Sequence, residues 1–273
     1  MSINIKGKLV DLSIPKIMGI LNINNNSFYD GGKYSSKDQA LIQTEKMLNE
    51  GATFIDIGAS TSKPKSKPIT VENEKKILFP ILEALIKKFP ETFFSIDTFQ
   101  SEIAERSLEI GASIINDISG GNFDNNMFHI ISKYKAPYIM MHMKGNPNKM
   151  QNDPIYNNVV IEILNFFSKQ TRIAHNYGIK DIIIDPGFGF GKSLKHNYQI
   201  IKSLKLFKVI NCPILIGISR KSMIYQLIGE GPEEALNGTS ILNTFGLTKG
   251  TNILRVHDVK EAKECVSLWE YLH

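Results

Sequence analysis

The sequence predicts a single-domain α/β protein of the (β/α)8 TIM-barrel class, and three observations carry that prediction. Short apolar runs, each ending in a polar residue, recur roughly every 25 to 45 residues with amphipathic stretches between them, the alternation that builds a parallel sheet. Eight such runs fit within the chain, the number a closed barrel needs. No G-x-G-x-x-G opens a helix after the first run, so the competing doubly wound open sheet lacks its phosphate turn. With 273 residues, 42% of them hydrophobic, the chain can fill one large core, and no low-complexity linker divides it.

In chain order, residues 1–14 read as a lead-in, hairpin-like over 3–12, and the barrel takes up about 15–273. The strand candidates are 16–22, 53–58, 93–98, 113–116, 138–142, 182–185, 214–217 and 252–257. Amphipathic stretches at 37–50, 72–89, 101–110, 155–177 and 234–249 supply helices, with Gly51, Gly111 and Gly178 placed for C-caps. Tyr225, Leu227, Ile228 and the apolar stretch 241–247 offer either a homodimer face or ordinary barrel-wall packing.

Composition excludes several classes. Cys212 and Cys265 are far apart and lack CxxC or Cys/His spacing, so neither disulfides nor zinc are indicated, which suits a reducing compartment. No apolar run approaches a membrane span and the first residues lack a signal-peptide core, which predicts a cytoplasmic protein without a membrane partner. The net charge of +5 fits nucleic acid or small anionic substrates, but nearly all of it is lysine and most reads as solvated surface. Of 32 basic residues only Arg106, Arg172, Arg220 and Arg255 are arginine, the preferred reader of phosphates and guanine edges, so no nucleic-acid partner is expected.

The stretch 181–192 joins a buried strand to a glycine-rich turn. Ile182, Ile183 and Ile184 form a continuous β-branched run, as a strand covered on both faces should. Asp185 ends it, either capping the turn before Pro186 or meeting a ligand that carries hydrogen-bond donors. Gly187, Gly189 and Gly191 clear space where something flat or anionic could approach, and Phe188 and Phe190 offer faces for a ring. Gly191-Lys192-Ser193 looks like a P-loop ending, but the motif's first glycine falls on Pro186.

Chemistry in a barrel sits at the carboxyl ends of strands. Those ends carry Asn22, Asp56, Asp97, Asn116, His142, Asp185 and Ser219, then Arg255 and His257. Acids beside an amide suit a planar heterocycle with a guanidine-like edge, whereas Lys221, Arg255 and His257 suit an anionic group. Arg255 and His257 are two apart on one strand and so point to the same side.

These segments resemble the dihydropteroate synthase family of pterin-binding barrels over nearly the whole chain. The matching stretches are Met18-Gly-Ile-Leu-Asn22, Gly51-Ala-Thr-Phe-Ile-Asp56, Ser95-Ile-Asp97-Thr98, Asn116-Asp117-Ile118, Met141-His-Met143 with Gly145-Asn-Pro147, Asp185-Pro-Gly-Phe-Gly-Phe-Gly191, Ser219-Arg-Lys-Ser-Met223 and Arg255-Val-His-Asp-Val259. The resemblance implies a sulfonamide-target transferase of folate biosynthesis. It would condense 6-hydroxymethyl-7,8-dihydropterin diphosphate with 4-aminobenzoate, with magnesium as the metal. By the same resemblance Asp97, Asn116 and Asp185 bind the pterin, Lys221 reaches the ring from the far side, and Met141 and Phe190 pack its faces. Asn22 contacts Mg²⁺, Arg255 and His257 cradle the diphosphate, and Ser219 and Arg220 wall the aminobenzoate pocket. Lys221, Arg255, His257 and Asp97 are the residues expected to carry catalysis.

Two loops depart from the family pattern. Where the family has Thr-Pro-Asp-Ser-Phe, this chain has Asn24-Asn-Asn-Ser27-Phe28, losing a proline and a carboxylate. Where the family has Ser-Thr-Arg-Pro-Gly, it has Thr61-Ser62-Lys63-Pro64-Lys65. Ser62 and Lys63 still read as substrate contacts, but lysine lacks the arginine fork. Two other readings therefore stand beside the synthase: a pterin-binding protein with weakened turnover, and a pterin-dependent methyltransferase barrel. The methyltransferase has no need of the cationic trio.

Overall fold

A computed structural model describes residues 1–23, 36–59, 70–145, 154–229 and 231–272. It opens with an antiparallel hairpin, β1 (Ser2–Ile5) and β2 (Lys8–Asp11). Lys6 and Gly7, both at positive φ, make the two-residue turn, the mirror-image geometry that matches strand twist. The barrel then follows as β3 (Lys16–Asn22), β4 (Phe54–Gly58), β5 (Phe93–Asp97), β6 (Ile114–Asp117), β7 (Tyr138–Met141), β8 (Ile182–Asp185), β9 (Leu215–Ile216) and β10 (Ile253–Val256). Their order, β8-β7-β6-β5-β4-β3-β10-β9, is all parallel. A single bridge between Ile184 and Ile214, with the Ile184 N–H donating to Pro213 O at 2.9 Å, joins the two ends into a barrel. β9 is short because Pro213 has no donor to give the ladder.

The expected strands all appear, within two residues at each end. So do the expected helices: α1 (Ser36–Asn49), α2 (Val71–Lys88), α3 (Ser101–Ile110), α5 (Val159–Asn176) and α8 (Leu236–Thr248). α5 starts later than its apolar pattern because the Asn158 side chain accepts from the N–H groups of Val160 and Ile161, fixing the cap there. Four further helices were not among those expected: α4 (Met127–Tyr134), α6 (Leu194–Lys202), α7 (Ser222–Ile228) and α9 (Val259–Leu272). Three of these run nine residues or fewer, too short to show a clear 3.6-residue period. Among the described residues, no helix is long and apolar enough to cross a membrane.

Two apolar layers hold the barrel. The outer one lies between strands and helices and includes Ile55, Ile57, Ile96, Ile115, Met140, Ile182 and Ile184. The inner one fills the amino-terminal end of the bore with Met18, Phe54, Ile114, Ile139, Ile183, Leu215 and Ile253, and the hairpin's Ile3, Ile5 and Leu12 pack onto it. Asn4 N–H to Asp181 Oδ1 (2.9 Å) and Asn252 Nδ2 to Leu12 O (3.0 Å) fasten the hairpin as a floor. Ile5→Ala should cost about 3 kcal/mol of stability by opening a cavity in that floor. Because the floor faces away from the strand ends, kcat/KM at 25 °C should stay within twofold of the parent. Thermal unfolding and steady-state kinetics check both halves.

Candidate active site

Strand pleating turns the floor into a map of the mouth. Side chains two residues apart share a face, so the positions two beyond the inner layer also point into the bore. Two beyond Phe54, Ile114, Ile139, Ile183, Leu215 and Ile253 stand Asp56, Asn116, Met141, Asp185, Gly217 and Arg255; four beyond Met18 stands Asn22. Asp97 lies in register with Asn116 on the neighbouring strand. The bore is thus apolar at one end and charged at the other.

One ion-pair network ties this polar layer together. Arg255 Nε donates to Asp56 Oδ2 at 2.6 Å and Nη2 to Asp97 Oδ2 at 2.8 Å. Asn116 Nδ2 donates to the same Asp56 oxygen at 2.9 Å. Asp56 is fully buried, and its Oδ1 has no hydrogen-bond partner among the described residues. Burial pushes the Asp97 carboxyl up to about 7, against the pull of Arg255, and the Asp56 charge adds to the rise. For Arg255 burial works downward, but the surrounding carboxylates of Asp56, Asp97 and Asp185 outweigh it and hold the guanidinium charged.

Across the bore lies the second half. Burial raises the Asp185 pKa, opposed by Lys221 and by the Gly187 N–H that donates to its Oδ1 at 2.7 Å. Lys221 Nζ donates to Phe188 O at 2.5 Å and sits 4.6 Å from the Phe190 ring centre. Desolvation lowers its pKa to about 8, with Asp185 holding it back from falling further. Phe190 packs with Met141 and Ile118 in a small apolar cluster rimmed by Phe99 and Met143. A flat ring entering here would meet carboxylates at its edge and thioether and phenyl groups on its faces.

At the rim, Ser219 Oγ lies 3.1 Å from His257 Nδ1 and accepts from the His257 N–H at 3.2 Å. Desolvation and the Arg255 charge lower the His257 pKa, although the residue stands exposed at the rim. Asn22 is exposed; its Oδ1 and the Asp97 Cβ lie 3.8 and 3.6 Å from the point where a Cβ on Gly58 would stand. Among the described residues, no group of three or more His, Cys, Asp or Glu could hold a metal ion. A lone amide oxygen nevertheless fits Mg²⁺, which keeps much of its shell as water and substrate phosphate.

Three expectations change. His142 follows Met141 and so points outward: its ring packs edge-on against Phe166 at 5.0 Å, and burial lowers its pKa to about 2. Arg220 is spent internally, donating twice to Asp258 (2.8 and 2.9 Å) and to the carbonyls of Pro232 and Glu233. It braces Ser219 and Lys221 and offers a ligand no free fork. Gly187 and Gly191 make room for backbone: a Cβ would stand 2.0 Å from His142 O on Gly187 and 2.3 Å from Lys144 O on Gly191. Ser62 and Lys63 lie outside the described residues. Asp56, seen at a strand end but given no role, is the network's hub; its signal was its place two beyond a core phenylalanine.

A TIM barrel with carboxylates and an amide facing a lysine over a Met–Phe slot defines an enzyme that binds a flat, donor-edged heterocycle, and residues 18–257 match the family described as pterin binding enzyme. The dihydropteroate synthase of Escherichia coli K12 is 39% identical over 267 residues, covering 97% of this chain and 94% of that one. The Yersinia pestis dihydropteroate synthase structure with a sulfonamide drug complex superposes with a TM-score of 0.94 at 36% identity, covering 100% of this chain and 99% of the other. A Xanthomonas albilineans dihydropteroate synthase in complex with 7,8-dihydropteroate gives 0.90 at 30% identity, covering 100% and 98%. The chain belongs to the dihydropteroate synthase family, transferases of folate biosynthesis.

Asp56→Ala should destabilise the protein by on the order of 3 kcal/mol, because it leaves a buried guanidinium with one carboxylate and strands the Asn116 amide. Equilibrium denaturation measures it. Asp56→Asn, which can still accept from Arg255, should lose less.

Proposed function

We propose that the barrel mouth carries out the family reaction, condensation of 6-hydroxymethyl-7,8-dihydropterin diphosphate with 4-aminobenzoate, through positioning and charge, without a general base. The observation that supports this most is the placing of Asp97, Asn116 and Asp185 on one layer of the bore with Lys221 opposite. In this reading Asp97, Asn116 and Asp185 take the donor edge of the pterin, and Met141 and Phe190 cover its faces. Arg255 and His257 face the diphosphate. Ser219 lines the second pocket, with Arg220 holding it in place.

The methylene C–O bond breaks with its electron pair leaving on diphosphate, the neutral arylamine nitrogen forms the new C–N bond, and its proton passes to solvent. The electron-rich ring shares the positive charge at the methylene, so the residues need only fix the two partners and stabilise the departing anion. Asn22 would hold Mg²⁺, which when bound neutralises charge on the diphosphate.

Purified protein with both substrates and Mg²⁺ should release one diphosphate per 7,8-dihydropteroate; pterin binding without product would refute the synthase reading. Asp97 must be ionised to accept from the ring, so kcat/KM should rise with pH through about 7. Lys221 must be an ammonium, so kcat/KM should fall again through about 8. Lys221→Arg, charged at every accessible pH, should remove the alkaline limb. We further propose that two copies pair through the exposed Leu227, Ile228, Ile241 and Phe245 of α7 and α8. Sedimentation should give a dimer, and Ile241→Lys a monomer.

A further inference from the structure

The lysine left over from the P-loop-like ending carries no role in the reaction described above, and its surroundings are unusual. Lys192 is 3% exposed. Its Nζ donates to Gly187 O at 2.8 Å, Phe190 O at 2.9 Å and His142 O at 3.1 Å. In a P-loop, backbone N–H groups and a lysine point together at a phosphate. Here the backbone is inverted: three carbonyls point inward, and the lysine is the cation they enclose.

Three acceptors need three N–H groups, which only the ammonium form has. Burial and the Lys221 charge hold its pKa well below the ordinary lysine value, opposed by the Asp185 charge; against that pull, three carbonyls at hydrogen-bond distance require the three N–H groups of the ammonium. Without a cation, three carbonyl dipoles aimed at one point would repel and the loop would open. That loop carries the Gly187 N–H held by Asp185, the Phe188 carbonyl held by Lys221, and the Phe190 ring.

We infer that Lys192 is a tethered cation that positions Asp185, Phe190 and Lys221 for the pterin, and that a free primary ammonium ion can take its place when the side chain is removed. Lys192 touches neither substrate; it is a positioning residue, and the inference rests on the pterin reading of this pocket.

Lys192→Ala should lower kcat/KM about 100-fold, the scale of an ångström-sized misplacement in a site, and weaken pterin diphosphate binding in calorimetry. Propylammonium chloride, which replaces the deleted Cγ, Cδ, Cε and Nζ atoms, should restore at least tenfold in a saturable way at constant ionic strength. Tetramethylammonium, with no N–H, should not. Activity within twofold of the parent without amine, or a folded, inactive variant that no primary amine rescues, overturns the inference. Should Lys192→Ala not fold, Lys192→Met supplies the same volume without donors, and full activity in it overturns the inference. In the unaltered protein, a ¹H–¹⁵N lysine spectrum at pH 7 should show a protected ammonium at this residue; a neutral amine there refutes the inference regardless of the variants. If the parent itself makes no dihydropteroate, the synthase reading fails, and pterin binding with and without propylammonium still tests Lys192.

Discussion

The guanidinium of Arg255, clasped by Asp56 and Asp97, is the interaction on which the mouth depends. It links the last described strand of the barrel to β4 and β5 across the bore, at 2.6 and 2.8 Å. Two acids brought this close repel unless a cation lies between them, and the cation could not stay buried without the acids. Each member is tolerable only in the presence of the other two. The barrel's first and last thirds are therefore coupled through the reactive end as well as through the ladder.

The balance of this layer has a chemical consequence. Three carboxylates, Asp56, Asp97 and Asp185, meet the cations Arg255 and Lys221 in this layer, with Lys192 behind Asp185. Burial makes both Asp97 and Asp185 bind protons more readily than a solvated carboxylate; the Asp56 charge adds to this at Asp97, whereas Lys221 and Arg255 oppose it at Asp185. A ligand edge rich in N–H donors gives such buried carboxyls hydrogen bonds without bringing a full charge of its own. The same dry surroundings make each contact count for more than it would in water. On the proposed reading, desolvation selects for the heterocycle as much as shape does.

How much of this was legible in the sequence depends on whether one period sufficed. Isoleucine runs closing on aspartate gave the strands, and a period of two placed Arg255 and His257 on one face. Applied to the fifth strand, the same rule favours Met141 over its neighbour His142, which reading strand ends alone did not separate. Arg220 could not be read locally, because its partners Asp258 and Glu233 reach it through the fold, from 38 and 13 residues away. His257 kept its place, but its protonation could not be read locally, since that depends on neighbours brought by other strands.

The glycine-rich turn shows why a motif's composition can be right while its reason is wrong. Open space for a ligand would be a sufficient cause for Gly187, Gly189 and Gly191. All three sit at positive φ, between 63° and 81°, where residues with a Cβ are strained. At Gly187 and Gly191 the space a side chain would need is taken by the carbonyls of His142 and Lys144. The turn is thus pressed backbone to backbone against the end of β7. Carbonyls forced that close need donors, and Lys192 supplies them at one point. Glycines and lysine are one device: the first lets the two chains approach, the second keeps the approach from being repulsive, and Asp185 and Phe190 are held in place as a result.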